Sequence, residues 1–350
     1  MIDGDLYLKD FKPRSALINE VHIPTRARFP VIDGHNHLGK LGEEIANSLG
    51  QPFLDPAEMV DLMDEMHVEC VVNLDGGWGD ELKINLDKYK AAFPNRFCIF
   101  CSVDWSEIDR PDFGEKWSGF LRDAVNAGVQ GLKVFKSLGL VYRDVKGKLI
   151  DPADPRLFPI WETAGELNIP VLIHSADPIA FFWPLDEFNE RWDELHAHPD
   201  WHFYGKDYPS FDTLIASQLK ILGKHPNTRF ISAHLLSNSE NLKFVAQALD
   251  TFPNLSVDIG ERIGEIGRQP YSSRQFIIDY QDRVIFGTDI PPHKPTYQTY
   301  FRCLETMDEY FDYGRQQGRY CIYGIHLPDE VLSKIYYKNA AKIIPGILSN

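Results

Sequence analysis

The sequence has few cysteines and no apolar run long enough to cross a membrane as a helix. Its five cysteines among 350 residues are an odd number, which does not fit the paired disulfides of small secreted domains. Cys98 and Cys101 have CxxC spacing, but they lie in the strand-like run RFCIFCSVDW. Residues three apart on a strand face opposite sides, so a redox pair or shared metal site is not expected there. We predict buried structural thiols instead.

Positive charge is scarce relative to negative charge, with 36 Lys and Arg against 51 Asp and Glu and a formal net charge of −15. Nucleic acids and anionic membranes are bound by basic faces, so we expect neither as a partner. A small anionic substrate stays compatible, because the local charge of a pocket can oppose the global charge. No secretory leader pattern opens the chain, and we expect a cytoplasmic protein, although removal of a leader would leave the same sequence.

Short internal repeats and low-complexity tracts are also absent, and what recurs is a short apolar strand followed by an amphipathic helix. The strands are nearly continuous apolar runs, as expected where both faces of a sheet are covered. The eight predicted strands are FPVIDGHNHL, VECVVNLDG, RFCIFCSVDW, VQGLKVFKSLG, IPVLIHSAD, TRFISAHLL, LSVDIGE and DRVIFGTDI. The eight predicted helices are DPAEMVDLMDEMH, GDELKINLDKYKAAFP, EKWSGFLRDAVNAG, PIWETAGELN, FDTLIASQLKILGKHP, SENLKFVAQALDTFP, SSRQFIIDYQ and YQTYFRCLETMDEYF.

Eight alternating units predict an α/β fold, a (β/α)₈ TIM barrel. A doubly wound open sheet is the alternative, but no glycine-rich phosphate loop follows the first strand. We predict that residues 1–28 form an irregular N-terminal arm and that residues 29–350 form a single barrel domain. A long aromatic insertion, residues 178–210, follows the fifth strand on the face where barrel active sites lie. It is either a pocket wall, which we favour, or a small satellite core.

Metal-competent side chains fall at the carboxyl ends of the predicted strands. His35 and His37 in VIDGHNHLG end the first strand, where alternation points both imidazoles to one side. His174 ends the fifth strand, His234 the sixth and Asp289 the eighth. Each alone has an ordinary structural explanation, but in a closed barrel all five converge on one face. Imidazoles and carboxylates suit zinc and similar divalent metals, and four ligands of this kind leave a position for water.

The motifs that carry these residues resemble those of the amidohydrolase superfamily. VIDGHNHLG, GLKVFKS, VLIHSADP, ISAHL and VIFGTDIP are similar to its strand-end motifs, and LPDEVLSKIYYKNAAKII resembles a closing helix. The resemblance runs from about Phe29 to Ile344. It is nearest to the amidohydrolase-related branch, which includes aminocarboxymuconate-semialdehyde decarboxylase, γ-resorcylate decarboxylase and sugar or pyrone lactonases. The motifs specify a fold and a metal site, but the branch holds both hydrolases and decarboxylases.

The resemblance implies that His35, His37, His174 and Asp289 hold one divalent metal. Zinc is the expected ion, with manganese, iron or cobalt as alternatives. His234 is then an acid/base or a substrate contact. Binuclear relatives add a carboxylated lysine from the fourth strand, which Lys133 would match; we expect the mononuclear case and treat Lys133 as a substrate contact. Lys136 is expected to face the helix layer or a loop.

These features predict a metal-dependent hydrolase that uses a metal-activated water on a small ester, lactone or amide. Asp289 would act as a catalytic proton acceptor as well as a ligand, and His234 would stabilise the developing negative charge. The first alternative is non-oxidative decarboxylation of an aromatic or muconate-type acid. Related decarboxylases often have an HxGE-like run after the sixth strand, but the run here is AHLLSNSENL, in which Ser237 and Asn238 could replace those contacts. The second alternative is a catalytically lapsed binding module.

Arginines near the same face are candidates for binding a substrate carboxylate. Arg262 and Arg268 lie in GERIGEIGRQP after the seventh strand, and a loop-bracing network with the glutamates of that run is the structural alternative. Arg191 in the insertion and Tyr142 after the fourth strand are weaker candidates. A homodimer would be compatible with exposed helix faces.

Overall fold

The computed structural model describes residues 4, 6–7, 10–314 and 317–347. Its eight strands pair in parallel in the order of the sequence, β1 to β8. Backbone hydrogen bonds from Gly34 to Phe286 and from Asp289 to His35 bring the last strand against the first. The predicted (β/α)₈ barrel is confirmed. The strands are β1 Val31–Asn36, β2 Val68–Asn73, β3 Phe97–Cys101, β4 Gly131–Val134, β5 Val171–Ile173, β6 Phe230–Ser232, β7 Leu255–Asp258 and β8 Val284–Ile285.

Helices surround the barrel, and the second helix begins at a capping residue that the sequence provides. In the second helix, Asp55 accepts hydrogen bonds from the backbone of Ala57 and Glu58, and the Glu58 side chain accepts one from the backbone of Asp55. The helices are α1 Lys40–Ser48, α2 Pro56–Met66, α3 Gly79–Asn85, α4 Phe113–Asn126, α5 Ser137–Leu140, α6 Phe158–Glu166, α7 Trp192–Ala197, α8 Phe211–Lys224, α9 Ala233–Leu236, α10 Leu242–Thr251, α11 Ile263–Arg268, α12 Pro270–Asp279, α13 Lys294–Glu305, α14 Asp329–Ser333 and α15 Asn339–Ile343. The segments Leu86–Ala91 and Lys334–Lys338 are wider π-helical turns.

The last predicted helix, YQTYFRCLETMDEYF, extends too far. Helix α13 ends at Glu305, because the backbone that follows bonds to another segment instead of continuing the helix. The amides of Gly324 and Ile325 donate to the carbonyls of Asp308 and Cys303. A pairing between distant segments therefore ends this helix, and the local pattern contains no sign of it.

The junction between the first and last strands is held by a buried carboxylate. Asp33 accepts hydrogen bonds from the backbone amide and the hydroxyl of Thr288, at 3.0 and 2.7 Å. Asn36 and the Tyr297 hydroxyl donate to the same carboxylate. Glycine is required beside it, since a Cβ atom on Gly287 would lie 2.6 Å from the Cβ of His35. This packing fixes the end of β1 relative to the turn that follows β8.

The two irregular segments differ in how they pack. In the described part of the arm, His22 bonds to Asp308 while Ile18 is fully exposed. The insertion instead folds into short helical turns around a second apolar cluster. That cluster contains Leu140, Ala176, Phe181, Leu195, Phe203, Phe211, Leu214 and Ile215. The satellite core that we considered for residues 178–210 is therefore present.

The cysteines follow the sequence prediction except at one position. Cys70, Cys98, Cys101 and Cys303 are buried with free thiols, and burial raises the pKa of Cys101 to about 12. Cys321 is only half-buried, so the expectation of burial was wrong for it. Among the described residues, no helix combines the length and the apolar character that a membrane span requires.

The Asp33–Thr288 contact generates a test of the barrel junction. We expect Thr288→Val to lower the free energy of unfolding by about 1–3 kcal/mol, because the substitution removes a hydroxyl donor to a buried carboxylate. Urea denaturation followed by circular dichroism measures the change. Thr251→Val is the control, since this exposed hydroxyl bonds only to a carbonyl of its own helix. Equal stability of the two variants would contradict the assigned role of Thr288.

Candidate metal centre

Four predicted site residues meet at the carboxyl end of the barrel. The Nε2 atoms of His35 and His37 lie 3.2 and 3.0 Å from Oδ1 of Asp289, and Nε2 of His234 lies 3.8 Å from its Oδ2. Ligand atoms of His35, His234 and Asp289 all lie within 4.8 Å of one another, a spacing that fits one metal ion. Asp289 is partly exposed while the three histidines are buried, so the group is open to solvent on the aspartate side.

Each of these imidazoles is fixed through its other ring nitrogen. Nδ1 of His35 lies 2.8 Å from Asp258, and Nδ1 of His37 lies 2.5 Å from Asp75. Nδ1 of His234 lies 2.7 Å from the carbonyl oxygen of Gly260. Since carboxylates and carbonyls only accept hydrogen bonds, each Nδ1 must carry the proton. The Nε2 atoms of neutral rings are then lone-pair donors for a metal, which is the usual role of such carboxylate–histidine pairs.

The donor set fits a cation for a further reason. In the neutral, Nδ1-protonated form, the Nε2 lone pair of His37 faces an Asp289 carboxylate that also has only lone pairs to offer, and that of His35 lies between Asp289 and the Lys133 ammonium. Acceptors that face each other at about 3 Å repel unless a proton or a metal ion lies between them. A divalent metal would satisfy all these groups at once. The residues present therefore fit a metal ion.

The pKa values show how strongly the carboxylates act on the rings. Burial opposes charge on His37, but Asp75 and Asp289 outweigh it and raise the pKa of His37 to about 9. Burial would also raise the pKa of Asp289, but His35 and His37 hold it well below the usual value. His234 lacks a carboxylate on Nδ1, and burial together with His174 and Arg262 keeps its pKa well below normal. The centre is thus negative on its aspartates and neutral at His234, and it holds a second proton on His37 that a metal ion would displace.

His174 lies beside this group but is directed differently. Its ring meets that of His234 edge to face, with centroids 4.4 Å apart. Its Nε2 lies 3.3 Å from Asp177, which also accepts a hydrogen bond from Lys136 at 2.5 Å. Burial lowers the pKa of His174 to about 4, so the ring is neutral. Nε2 of His174 makes no hydrogen bond of acceptable geometry among the described residues, and His174 is not one of the three residues whose ligand atoms converge, His35, His234 and Asp289. Lys136 contacts a loop, one of the two placements expected for it.

Lys133 lies in the centre itself. Its side chain is buried, Nζ is 3.4 Å from Nε2 of His35, and the ring of Phe135 lies 5.0 Å away. Burial lowers the pKa of Lys133 to about 8. This position is compatible with a contact to substrate at the metal, as the sequence predicts.

The backbone around the centre is strained. His234 and the three residues that follow it have φ between 52° and 60°, the left-handed region that side chains other than glycine seldom adopt. Asp289 is also left-handed, with a φ of 64°. Such conformations cost about 1–3 kcal/mol each and persist where the surrounding structure enforces them. Here Asp258 accepts a hydrogen bond from the His234 amide, which holds the turn against β7.

Two of the predicted substrate arginines are engaged elsewhere. Arg191 is fully buried and paired with Glu194 and Glu265, so its proposed role in substrate binding is not supported. Arg268 forms a two-pronged pair with Glu190 and stacks on the ring of Tyr320. These pairs fasten the insertion to the loop after β7. The bracing network considered for Arg268 is therefore present, with Glu190 of the insertion as the nearer partner and Glu265 at 3.9 Å.

Arg262 and Tyr142 keep positions suited to substrate. Arg262 is buried, it affects the pKa of His234, and its Nε has no hydrogen-bond partner among the described residues. Its Nη1 donates to the carbonyl of Glu261, and no ion pair is found for it in that part of the chain. Tyr142 lines a cavity of about 340 Å³ beside the centre. We call it the aromatic cavity; its walls include Asp75, Trp78, Ser102, Trp105, Phe135 and Tyr142.

The insertion takes no part in this cavity. Its lining comes from residues that follow β1 to β4, and within the described chain none lies between residues 178 and 210. The expectation that the insertion forms a pocket wall was wrong for this cavity. The aromatic side chains of the insertion pack on their own cluster instead, as Phe181 and Phe203 show.

Asp75 and Asp258 are functional residues that the sequence prediction missed. Both stand at the end of a predicted strand, in VECVVNLDG and LSVDIGE, as the histidines do. The same strand-end rule would have selected them. Only the folded geometry shows that each binds a histidine and not the metal position itself.

The Asp258–His35 pair generates a second prediction. We expect Asp258→Asn to weaken Zn²⁺ binding about 10–100-fold, because the amide no longer fixes the ring and its protonation as the carboxylate does. Competition with a chromogenic chelator measures the affinity. Asp61→Asn, on the exposed face of α2, is the matched control and should bind Zn²⁺ as the unmodified protein does. Unchanged affinity in Asp258→Asn would contradict this role.

Comparison with known proteins extends these observations. A search of curated protein sequences finds no match. Among solved structures, 2,6-dihydroxybenzoate decarboxylase from Rhizobium is similar, with 16% identity, a TM-score of 0.58 and coverage of 90% of this chain and 98% of the other. A probable 2-pyrone-4,6-dicarboxylic acid hydrolase from Acinetobacter baumannii, with citric acid bound, has 12% identity, a TM-score of 0.50 and coverage of 90% and 99%. An amidohydrolase from Burkholderia multivorans with bound zinc has 11% identity, a TM-score of 0.51 and coverage of 90% and 100%.

At these identities the solved structures establish only the fold. The family evidence comes from the amidohydrolase family model, which matches residues 119–346, well over half of the chain. The matched region contains His174, His234 and Asp289, while His35 and His37 precede it. The chain therefore belongs to the amidohydrolase family of TIM-barrel enzymes.

Proposed function

We propose that the protein is a metal-dependent hydrolase of a small ester, lactone or amide that bears a carboxylate. The observation that carries the proposal is the convergence of three fixed imidazoles on Asp289. His35, His37, His174 and Asp289 would hold one divalent ion, with His234 close enough to join or replace one of them. Zinc is the ion we favour, and manganese, iron or cobalt would suit the same donors. A second metal on a carboxylated Lys133 is the less favoured form.

The metal, when bound, supplies a water whose pKa is lowered towards about 7. The chain's own residues supply the proton transfers. Oδ1 of Asp289 faces His35 and His37, while its Oδ2 is directed at His234. One oxygen can thus bind while the other accepts a proton and passes it to the leaving group. General acid/base catalysis of this kind contributes roughly 10²–10⁴-fold to the rate.

His234 and Arg262 would act on the substrate. The buried, neutral His234 donates its Nδ1 proton to Gly260 and presents Nε2 as a hydrogen-bond acceptor that does not bring a full charge to the reacting atoms. Arg262 has an Nε donor without a partner among the described residues and is buried beside His234. A guanidinium in this state is suited to a carboxylate of the substrate. The substrate is therefore a small molecule, and no nucleic acid or membrane partner is proposed.

Decarboxylation of an aromatic or muconate-type acid is the competing reaction on the same residues. In that case Nε2 of His234 would first take up a proton from the substrate or from water and then transfer it to the carbanion left after loss of carbon dioxide. The turn after β6 supports it less, because Leu236 and Ser237 stand where related decarboxylases often have a Gly-Glu pair, although Ser237 and Asn238 could replace those contacts. A barrel that binds a ligand without turnover is the remaining alternative.

A substrate screen distinguishes these reactions. The Zn²⁺-loaded protein is assayed on lactones, acyl-amides and hydroxybenzoates, with products identified by mass spectrometry. We expect hydrolysis of at least one carboxylate-bearing lactone, ester or amide. Release of carbon dioxide from a hydroxybenzoate without any hydrolysis would overturn the proposal in favour of the decarboxylase. Metal binding without turnover would overturn it in favour of a binding module.

The same assay separates the roles of two residues. We expect Asp289→Asn to lose at least 100-fold in kcat, since the amide cannot accept the proton. We expect His234→Ala to lose turnover while it keeps its metal. Loss of metal from His234→Ala would make this residue a ligand, and a fully active Asp289→Asn variant that retains metal would remove Asp289 from the proton transfer.

Arg262 generates a separate prediction about substrate charge. We expect Arg262→Gln to raise KM about tenfold or more for a carboxylate-bearing substrate, because a hydrogen bond to a charged group is lost. The KM of a neutral analogue should stay unchanged. Arg110→Gln is the control, since Arg110 is exposed and pairs only with Asp112. An equal rise in KM for both substrates would remove Arg262 from carboxylate binding.

A further inference from the structure

The aromatic cavity is a second concave surface beside the metal centre, and the proposed chemistry does not use it. Its volume of about 340 Å³ lies in the range of small-molecule sites. Its lining comes from residues after β1 to β4, whereas His174, His234 and Asp289 come from β5, β6 and the turn after β8. The cavity therefore occupies the other half of the barrel mouth.

Two wall residues connect the cavity to the centre. Asp75 accepts the Nδ1 hydrogen bond of His37, and the ring of Phe135 lies 5.9 Å from that of His37. Phe135 also lies 5.0 Å from Nζ of Lys133. A chemical group bound in the cavity would thus lie next to the metal position. It could belong to the same substrate molecule as the atoms that react at the metal.

The walls are aromatic and are held in place from behind. Trp105 is buried and packs against Phe113 and Trp161, with ring centroids 6.4 and 6.0 Å away. Trp78 is about one-third exposed and meets Trp117 edge to face at 6.4 Å. Rigid aromatic faces favour flat, apolar groups, because stacked or edge-to-face rings gain stabilisation beyond the burial of area.

One polar group in the cavity lacks a partner. Ser102 is 4% exposed, and its hydroxyl makes no hydrogen bond with any described residue. Its backbone is fixed by a hydrogen bond from its amide to the carbonyl of Gly77. A buried hydroxyl without a partner costs free energy, so a ligand that bonds to it is favoured.

Of the four charged groups that line the cavity, three have a charged or hydrogen-bonding partner, and the fourth, Glu81, adds negative charge. Asp75 is bonded to His37 and to the amide of Gly39, and Lys40 at the rim lies 3.8 Å from Glu44. The cavity thus offers little to a charged group, and a substrate carboxylate is better served by Arg262 after β7.

We infer that the aromatic cavity binds a planar unsaturated ring of the substrate, with the Ser102 hydroxyl bonded to a polar substituent on that ring. This inference rests on the proposed function, because that function is what makes the bound ring part of a substrate. It narrows the substrate class to an aromatic or unsaturated cyclic compound with a hydroxyl or carbonyl substituent.

Binding of two probes to the full chain tests the inference without any turnover. The probes are 4-hydroxybenzoate and its saturated analogue 4-hydroxycyclohexanecarboxylate, measured by isothermal titration calorimetry. We expect 4-hydroxybenzoate to bind at least about tenfold more tightly, since only the planar ring can stack on the walls. Equal affinities, or no binding of 4-hydroxybenzoate at millimolar concentration, would overturn the inference.

Variants assign the binding to the cavity. Trp78→Ala and Tyr142→Leu should each remove most of the preference for the planar probe, and their thermal unfolding confirms that they fold. Ser102→Ala should weaken 4-hydroxybenzoate about five- to tenfold but leave benzoate unchanged. The matched controls are Tyr271→Ala, an exposed aromatic residue on α12, and Ser273→Ala, a buried hydroxyl without a partner on the same helix. Loss of preference in the controls, or none in the Trp78 variant, would contradict the assignment.

The outcome is separable from that of the hydrolysis screen. If the protein discriminates between the two probes but hydrolyses no substrate, the ring site is supported and the proposed reaction is contradicted. If it hydrolyses a substrate but binds both probes equally, the proposed reaction is supported and the ring site is contradicted.

Discussion

The structure depends on the way in which three imidazoles are fixed before any metal binds. Asp258, Asp75 and the carbonyl of Gly260 each hold one Nδ1 proton, which leaves every Nε2 with a lone pair directed at the same carboxylate. In a buried space this arrangement requires positive charge beside it, which the Lys133 ammonium near His35 and a proton on His37 provide and which a divalent cation would replace. The groups that orient the rings lie in the most rigid part of the protein, the ends of the barrel strands.

Other parts of the fold serve to maintain that arrangement. The Asp33–Thr288 contact fixes the turn that carries Asp289 against the strand that carries His35. The left-handed turn at His234 is held by the same Asp258 that orients His35. One carboxylate therefore couples two imidazoles from β1 and β6. Displacement of either strand would disturb both, which explains why the strain at His234 is retained.

Much of the fold was predictable, because apolar runs and strand ends are local properties of the sequence. All eight strands and the convergence of His35, His37, His234 and Asp289 followed from them. What remained hidden depends on contacts between distant segments. Arg191 looked available in the sequence, yet it is buried against Glu265, 74 positions further along the chain. The cavity as a whole was not predicted, because its walls come from separate loops, although one of its residues, Tyr142, was a candidate for binding the substrate.

The side chains around the barrel mouth differ in chemistry from one side to the other. The candidate metal ligands come from β1, β5, β6 and the turn after β8, and aromatic walls follow β2 to β4. Arg262, whose Nε has no hydrogen-bond partner among the described residues, follows β7. A substrate that used all three would extend across the mouth, with its reactive carbon over Asp289 and its ends in unlike surroundings. A saturated compound would not stack on the aromatic walls, and an uncharged compound would not form an ion pair with Arg262. Selectivity would therefore arise from the two flanks, while the candidate metal centre would perform the reaction on the bond that they align.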